Sequence, residues 1–463
     1  MSDALVFVLF GATGDLAKRM VIPAFHELHT RGLMPDRWRL VGNGRGDVSH
    51  EDFHQHVKEV LTEFGGGDPS GPEWDDFTTH LRFAGGGFEK SDPGSLLDVL
   101  HEAEADLGEA RYVHYLAIPP SAFRKVTEGL AEHDLVEGSR VVYEKPFGTS
   151  PESFHELDEL VHSTMDEEQV YRIDHFLGKE ATQNLHVLRF GNQLVGRSWC
   201  ADAVEQVQID VPEKLDVADR AEFYDATGAF KDMIVTHLFQ VAAEVAMEPP
   251  ASMRAEDLQD ARESVLAAFR PLDPEELVLG QYEGYRDLDD VPDDSRTDTF
   301  AAVRLWVDTD RWRGVPFVLR SGKMLGTDAQ VVSLVMRKPE GPLTHIPGQG
   351  VLQFSLKGSG AIEARFVVKE PGPDLSLTRT RTVLDLGQVA EGAALPPYVA
   401  LLHDVVEGDR SLFTSSAGLD AAWGAVARVL EQMPDPTPYA PGSTGPAAAR
   451  ALTGDVGWLA DEG

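Results

Sequence analysis

The feature that most narrows the fold stands near the start of the chain. Leu5-Val6-Phe7-Val8-Leu9-Phe10 is apolar without a break, partly β-branched, and followed at once by Gly11-Ala12-Thr13-Gly14. A strand with no polar face must be covered on both sides, as a central strand is in a parallel sheet flanked by helices. Asp15-Leu16-Ala17-Lys18-Arg19 follows, with apolar residues at Met20, Ile22, Ala24 and Leu28 that allow a helix. Strand, glycine turn and helix in succession form the phosphate-binding start of a dinucleotide fold. The glycines let the backbone approach a pyrophosphate, and the helix N-terminus supplies N–H donors and a favourable dipole. Gly11, Thr13, Gly14, Asp15 and Leu16 are the candidate cofactor contacts. The spacing is GxxGxxA, not GxGxxG, and a tight turn without a ligand is the competing reading.

The next segments repeat the pattern. Arg39 to Gly42 reads as a second strand ending in Gly44-Arg45, and His50 to Phe64 as a helix. An acidic residue at the end of that strand favours NAD, whereas arginine can hold the 2′-phosphate of NADP; Arg45 points to NADP and leaves NAD open. Arg111 to Ile118 is a further strand, stopped by Pro119-Pro120-Ser121. Arg140 to Tyr143 is another, running into Glu144-Lys145-Pro146-Phe147-Gly148. Strands alternating with helices predict a doubly wound α/β domain over residues 1–172. Lys145, at a strand end beside the crevice of such a sheet, is a candidate ligand for cofactor or substrate.

In the middle of the chain, Tyr171-Arg172-Ile173-Asp174-His175-Phe176-Leu177-Gly178-Lys179-Glu180 sets two basic groups beside a carboxylate. If this stretch is helical, His175 and Lys179 share a face and can grip one anion, with Asp174 about 100° away. Beyond it the pattern alternates. Val204 to Val211, Thr299 to Val307, Val315 to Arg320, Val331 to Met336, Val351 to Leu356 and Ala361 to Lys369 read as strands of a mainly antiparallel sheet. Helices such as Gly228 to Ala246 and Ala421 to Met433 cover one face. Residues 173–463 are thus an expected α+β domain, its tail from Asp435 irregular until Val456-Gly457-Trp458. On the helix that contains Asp225 to His237, His237 shares a face with Phe230, Met233 and Val241. A half-buried neutral imidazole there can act as a general base, although a satisfied core histidine is the competing reading. Asp232 falls about 140° from His237 on an α-helix, so a carboxylate supporting this base must come from elsewhere, and Asp174 is available.

Composition excludes some functions. Seventy-seven acidic residues against 41 basic ones, net -36, argue against sequence-independent nucleic-acid binding, though not against a local basic pocket. Cys200 is the single cysteine, so no intrachain disulfide forms and no CxxC metal site exists. Zinc, Ser-His-Asp and Walker motifs are missing, and no metal is expected. The opening Met1-Ser2-Asp3-Ala4 and the short run after it lack the basic flank and length of a signal peptide, and no apolar stretch reaches membrane-span length. A cytoplasmic enzyme or binding protein is expected.

Seven segments, in order, resemble the glucose-6-phosphate dehydrogenase family: GATGDLAKR (Gly11 to Arg19), YLAIPPS (Tyr115 to Ser121), EKPFG (Glu144 to Gly148), RIDHFLGKE (Arg172 to Glu180), GAFKDMIVTH (Gly228 to His237), AMEPP (Ala246 to Pro250) and VPFVLRSGK (Val315 to Lys323). The resemblance implies that His237 is the general base for the C1 hydroxyl and that Asp174 is its carboxylate partner. It implies that His175 and Lys179 hold the sugar phosphate, that Glu213, Asp232 and Lys323 bond the sugar hydroxyls, that Lys145 serves sugar and cofactor, and that Arg45 meets the 2′-phosphate. It further implies oxidation of glucose 6-phosphate to a 6-phosphoglucono-lactone with NADP, by a homodimer or homotetramer. Three positions depart from the family. Phe176 stands for a tyrosine, Thr236 for an asparagine, and Asp328 for a second basic residue after Ser321-Gly322-Lys323. Losing one charge-assisted bond costs about 1.5–3 kcal/mol, which predicts weaker binding of the sugar phosphate. Another aldose as substrate, or a non-catalytic NADP-sensing role, are the alternatives.

Overall fold

The structure, a computed structural model, describes residues 4–46, 48–217, 220–343, 345–389 and 394–462. Met1, Ser2 and Asp3, where the absence of a leader was read, lie outside them. The chain forms two compact units, one of Met1–Gly178, Arg254–Glu256 and Leu395–Ser416, the other of Lys179–Met253, Asp257–Ala394 and Ala417–Gly463. The expected blocks, 1–172 and 173–463, are consecutive; the compact units interleave. No helix among the described residues is long and apolar enough to cross a membrane.

The first unit is built on strands β1 (Ala4–Phe10), β2 (Arg37–Asn43), β3 (Leu81–Ala84), β4 (Ala110–Leu116), β5 (Arg140–Tyr143) and β6 (Val170–Ile173). They pair in parallel in the order 3-2-1-4-5-6, the doubly wound arrangement of dinucleotide folds. Every residue of β1 is buried, as its unbroken apolar run requires. Phe7 meets Phe25 at 4.9 Å between ring centroids, and Phe25 meets Trp38 at 5.3 Å. The helix His50–Phe64 starts where Ser49 accepts the Asp52 N–H at 3.1 Å. A late segment completes the unit. Helix Pro397–Glu407 buries Val399, Leu401, Leu402, Val405 and Val406 in the cluster that contains Phe7, Phe25 and Leu28. The two-residue strand Phe413–Thr414 then pairs antiparallel with β6 at the sheet edge.

The second unit holds β7 (Val204–Pro212), β8 (Leu277–Tyr282), β9 (Phe300–Trp306), β10 (Pro316–Gly322), β11 (Val331–Met336), β12 (Val351–Ser355), β13 (Ala361–Lys369) and β14 (Leu377–Asp385). With a short strand at Thr437–Tyr439 they form one sheet in the order 14-13-12-11-7-10-9-8, followed by that short strand. Most pairs are antiparallel, but β7 and β10 run parallel with Gly322 opposite Pro212. The chain therefore leaves both strands at the same end, which sets Glu213 beside Lys323.

Two expectations change here. The tail is ordered from Thr437, pairs in parallel with β8, and folds into a 3₁₀-helix over Ala447–Thr453. Its composition conceals anchors made by distant residues. Buried Arg320 bonds Asp210 at 2.7 Å and Asp461 at 2.9 Å, and lies 4.4 Å from the centre of the Trp458 ring. The helix expected over Gly228 to Ala246 is in part a π-helix, Phe230–Leu238, before it becomes α-helical over Phe239–Ala246. Gly228, at φ 74°, kinks the preceding helix Ala221–Ala229 just before it.

Candidate active site

In the first unit the glycine turn is fixed by its neighbours. The Gly11 and Ala12 N–H groups donate to Asn43 O at the end of β2, and Gly14 N–H to Gly11 O at 2.8 Å. Gly11 has φ 77°, and a Cβ there would stand 2.4 Å from Ala117 O, so only glycine allows the strand-end loops to approach this closely. The helix that follows is helical from Asp15 and contains a π-turn over Ala17–Val21. Backbone donors at a helix start, bounded by a turn too tight for a side chain, fit a dinucleotide pyrophosphate. Thr13, Asp15 and Arg45 are exposed along this rim, and Asp15 pairs with Arg19 at 2.7 Å. The side chain of buried Asn43 donates to Ala84 O and Gly87 O, both at 3.1 Å, and so ties together the turns that follow β2 and β3. The reading of the sequence passed over Asn43; its place at the last residue of a strand was the available signal.

After β5, Glu144 is buried and accepts from the Tyr115 hydroxyl at 2.5 Å and from the Tyr398 hydroxyl at 3.5 Å. Burial pushes its carboxyl pKa up, while these hydroxyls and neighbouring Lys145 oppose the rise. Tyr398 comes from the late segment, so no local pattern around EKPFG could announce it. Asp174 directly follows β6 and is 1% exposed. One of its carboxylate oxygens accepts the Phe176 N–H at 2.9 Å, and its backbone carbonyl accepts from Leu177 at 3.1 Å. These bonds make residues 174–178 a turn, and the helix begins only at Glu180. The shared helical face of His175 and Lys179 is thereby corrected: the Asp174 side chain competes for the local N–H groups, as aspartate does at turns. His175 lies three residues before Gly178, where the first unit's segment ends, and Lys179 opens the second's.

In the second unit the parallel strands β7 and β10 bring Glu213 and Lys323 into an ion pair, each side chain about one-fifth exposed (23% and 18%). The backbone holds both in place. Glu213 N–H donates to Gly322 O and Lys323 N–H to Thr299 O, each at 2.9 Å, and the Tyr439 hydroxyl donates to Lys323 O at 2.6 Å. The Lys323 ammonium lies 5.8 Å from the centre of the Tyr224 ring. Tyr224 is buried, and its phenol pKa is driven well above 10 by burial, then by Asp232, Asp298, Tyr439 and Glu213. It is a further polar group that the sequence alone did not single out.

His237 is fully buried and Asp232 half-buried. In a π-helix the hydrogen bonds run from i to i+5, so residues five apart stack on one face. Asp232 and His237 thus share a face, and the expected separation of about 140° is corrected. The Thr236 hydroxyl, donating to Lys231 O at 2.9 Å, spans the same interval. The helix start is secured from β9's approach: Asp298 accepts the Phe230 N–H at 2.6 Å, and its carbonyl accepts from Ala229 at 2.8 Å.

A parallel dinucleotide sheet, joined in one chain to a second sheet whose strand ends gather a carboxylate, an ammonium and a helix bearing a buried histidine, defines a nicotinamide-dependent oxidoreductase. The comparisons make this specific. Residues 8–184 match the profile of "Glucose-6-phosphate dehydrogenase, NAD binding domain", and residues 186–458 that of "Glucose-6-phosphate dehydrogenase, C-terminal domain". Glucose-6-phosphate 1-dehydrogenase 6, cytoplasmic, of Arabidopsis thaliana is 34% identical over 480 residues, covering 100% of this chain and 93% of its own. Glucose-6-phosphate 1-dehydrogenase 2 of Mycobacterium tuberculosis is 36% identical over 466 residues, covering 95% and 91%. A crystal structure of glucose-6-phosphate 1-dehydrogenase from Mycobacterium avium matches with TM-score 0.87 at 32% identity, covering 99% of both chains. A glucose-6-phosphate dehydrogenase in complex with its substrate glucose-6-phosphate matches with TM-score 0.91 at 30% identity, covering 99% and 98%. The chain belongs to the glucose-6-phosphate dehydrogenase family.

Proposed function

We propose that the protein oxidises the C1 hydroxyl of glucose 6-phosphate to 6-phosphoglucono-lactone, with NADP as the hydride acceptor, in the cytoplasm and as a homodimer or homotetramer. The observation that carries this reading is a fully buried histidine and a carboxylate on one face of a π-helix, in the unit that also holds the Glu213–Lys323 pair. Bound NADP supplies a carbon that takes up hydride. His237 removes the hydroxyl proton as that hydride leaves C1, and Asp174 stabilises the imidazolium that forms. Glu213, Asp232 and Lys323 bond the sugar hydroxyls and hold C1 in place, and positioning of this kind contributes much of the rate. His175 and Lys179 bind the phosphate, and Lys145 serves both sugar and cofactor. Gly11, Thr13, Gly14, Asp15 and Leu16 receive the pyrophosphate, and exposed Arg45 favours the 2′-phosphate of NADP over NAD.

Reduced-cofactor absorbance, followed with NADP and NAD on glucose 6-phosphate and on free glucose, tests the reading. NADP with glucose 6-phosphate is expected to be the efficient combination, and equal efficiency on the two sugars removes the phosphate assignment. His237→Asn is expected to lower kcat by several orders of magnitude with substrate binding largely kept. A mild effect rejects its role as base.

A further inference from the structure

Lys357 and Asp328 have no part in the reaction as drawn above. Lys357 follows β12 on a short loop, and its ammonium donates to the Asp328 carboxylate at 2.7 Å and to Asp328 O at 3.2 Å. Both side chains keep about half their surface open to solvent, 44% and 50%. Two residues further along, the Gln330 side chain accepts from the Lys179 ammonium at 2.6 Å, and Gln330 O accepts from the Leu356 N–H at 2.7 Å. The two lysines are therefore moored to positions 328 and 330 of one segment.

That segment is extended. β11 pairs with β7 with Val331 opposite Asp210, and the Ala329 N–H carries the pairing one step on to Pro212 O at 3.1 Å. In an extended chain, side chains two apart point the same way and their Cα atoms are about 6.6 Å apart. The acceptors that hold the two ammoniums thus sit on one side of the segment, and charge-assisted hydrogen bonds of about 2.8 Å from both can serve a single phosphate group. The Lys357 loop also rests on the start of the helix Glu180–Gly191, with Gly360 against Ala181 and the Asn184 side chain donating to Ser359 O at 3.5 Å. An anion at this place gains from the helix dipole as well.

We propose that Lys357 is the second cation for the phosphate end of the substrate, a phosphomonoester of an aldose. Asp328 holds its ammonium in place and competes with the phosphate for it. This rests on the reading of Lys179 as a phosphate ligand and deepens it. The cation missing after Ser321-Gly322-Lys323 is supplied from the β12 loop, and the carboxylate at position 328 tempers its strength. Replacing Asp328 should therefore tighten, not loosen, the grip on phosphate.

The test uses the full chain with Lys357→Ala, Lys357→Arg and Asp328→Asn. It reads the ratio of kcat/KM for glucose 6-phosphate to that for free glucose, and the calorimetric Kd for inorganic phosphate. Lys357→Ala is expected to cut the ratio about tenfold and weaken phosphate binding by a similar factor, with Lys357→Arg recovering most of both. Asp328→Asn is expected to tighten phosphate about threefold. Both quantities within twofold of wild type in Lys357→Ala, or looser phosphate in Asp328→Asn, overturn the proposal. The two levels separate cleanly. A wild type inactive on glucose 6-phosphate whose phosphate affinity still drops in Lys357→Ala keeps the anion site and removes the reaction. An active wild type indifferent to Lys357→Ala keeps the reaction and removes the site.

Discussion

Tyr224 carries a hydroxyl that burial hides from water and that no described protein atom pairs with. Such a group costs about 1–3 kcal/mol relative to an apolar one of the same shape. Tyr224→Phe is thus expected to raise stability by about 1–2 kcal/mol in urea denaturation; a loss would show that the hydroxyl has a partner. Tyr224 keeps this cost beside Lys323 and within electrostatic reach of Asp232. Glu213 and Lys323 come into view only through the family resemblance, because a lone charge after a strand carries no signal of its own. The sequence could not show Tyr224, because a tyrosine in Ala221–Ala229 looks like any other aromatic on a helix. Nor could it show Tyr398, which reaches Glu144 across 254 positions of chain.

The element that carries His237 illustrates what periodicity hides. A π-helix and an α-helix place the same apolar residues inside, so Met233 and Val241 read correctly as core while the angle to Asp232 did not. Its α-helical continuation contributes buried Glu244, which binds His186 and accepts from Arg262 at 2.6 Å. Burial alone would raise the Glu244 pKa, but Arg262 and His186 together lower it to about 2. A depressed carboxylate pKa stabilises the fold above about pH 4.5, and that stability drains away as pH falls towards about 2. Glu244→Gln is expected to cost about 3–5 kcal/mol near neutral pH, measured by chemical denaturation, because it breaks the buried Glu244–Arg262 ion pair. Asp298, at the start of the π-helix, has the opposite sign. Burial lifts its pKa from 3.8 to about 6, so its folded form favours the proton and stability falls as pH climbs through that interval. The fall should be about 2–3 kcal/mol and should be absent in Asp298→Asn, which keeps an oxygen for the Phe230 N–H but has no charge to bury. A Tm that declines equally in both proteins between pH 4 and 6 would assign the slope elsewhere.

At the scale of the whole molecule, both sheets were legible in their central strands and obscure at their edges. β11 and β13 were placed to the residue, whereas β3, β6, β8 and β14 were missed, since edge and short strands need no continuous apolar run. Among the described residues no strand pairs with the outer side of β14, and with β13 it exposes Phe366, Val368, Val383 and Leu384. Edges of this length and apolar character are normally covered, which supports the proposed self-association. A double variant, Phe366→Glu with Val383→Glu, is expected to sediment as a monomer with its secondary structure intact; an unchanged oligomer would place the interface on another face. The interleaving of the two units bears on how the chain is made. The first unit ends its early part at Gly178 and waits for Leu395–Ser416 to bring the Pro397–Glu407 helix and the strand that seals β6. At 5–20 residues per second, the 216 residues between them take roughly 10 to 40 s to emerge from a ribosome. During that interval the nascent nucleotide-binding sheet has an open β6 edge and part of its apolar core facing water, so a chaperone is most needed before the last seventh of the protein exists.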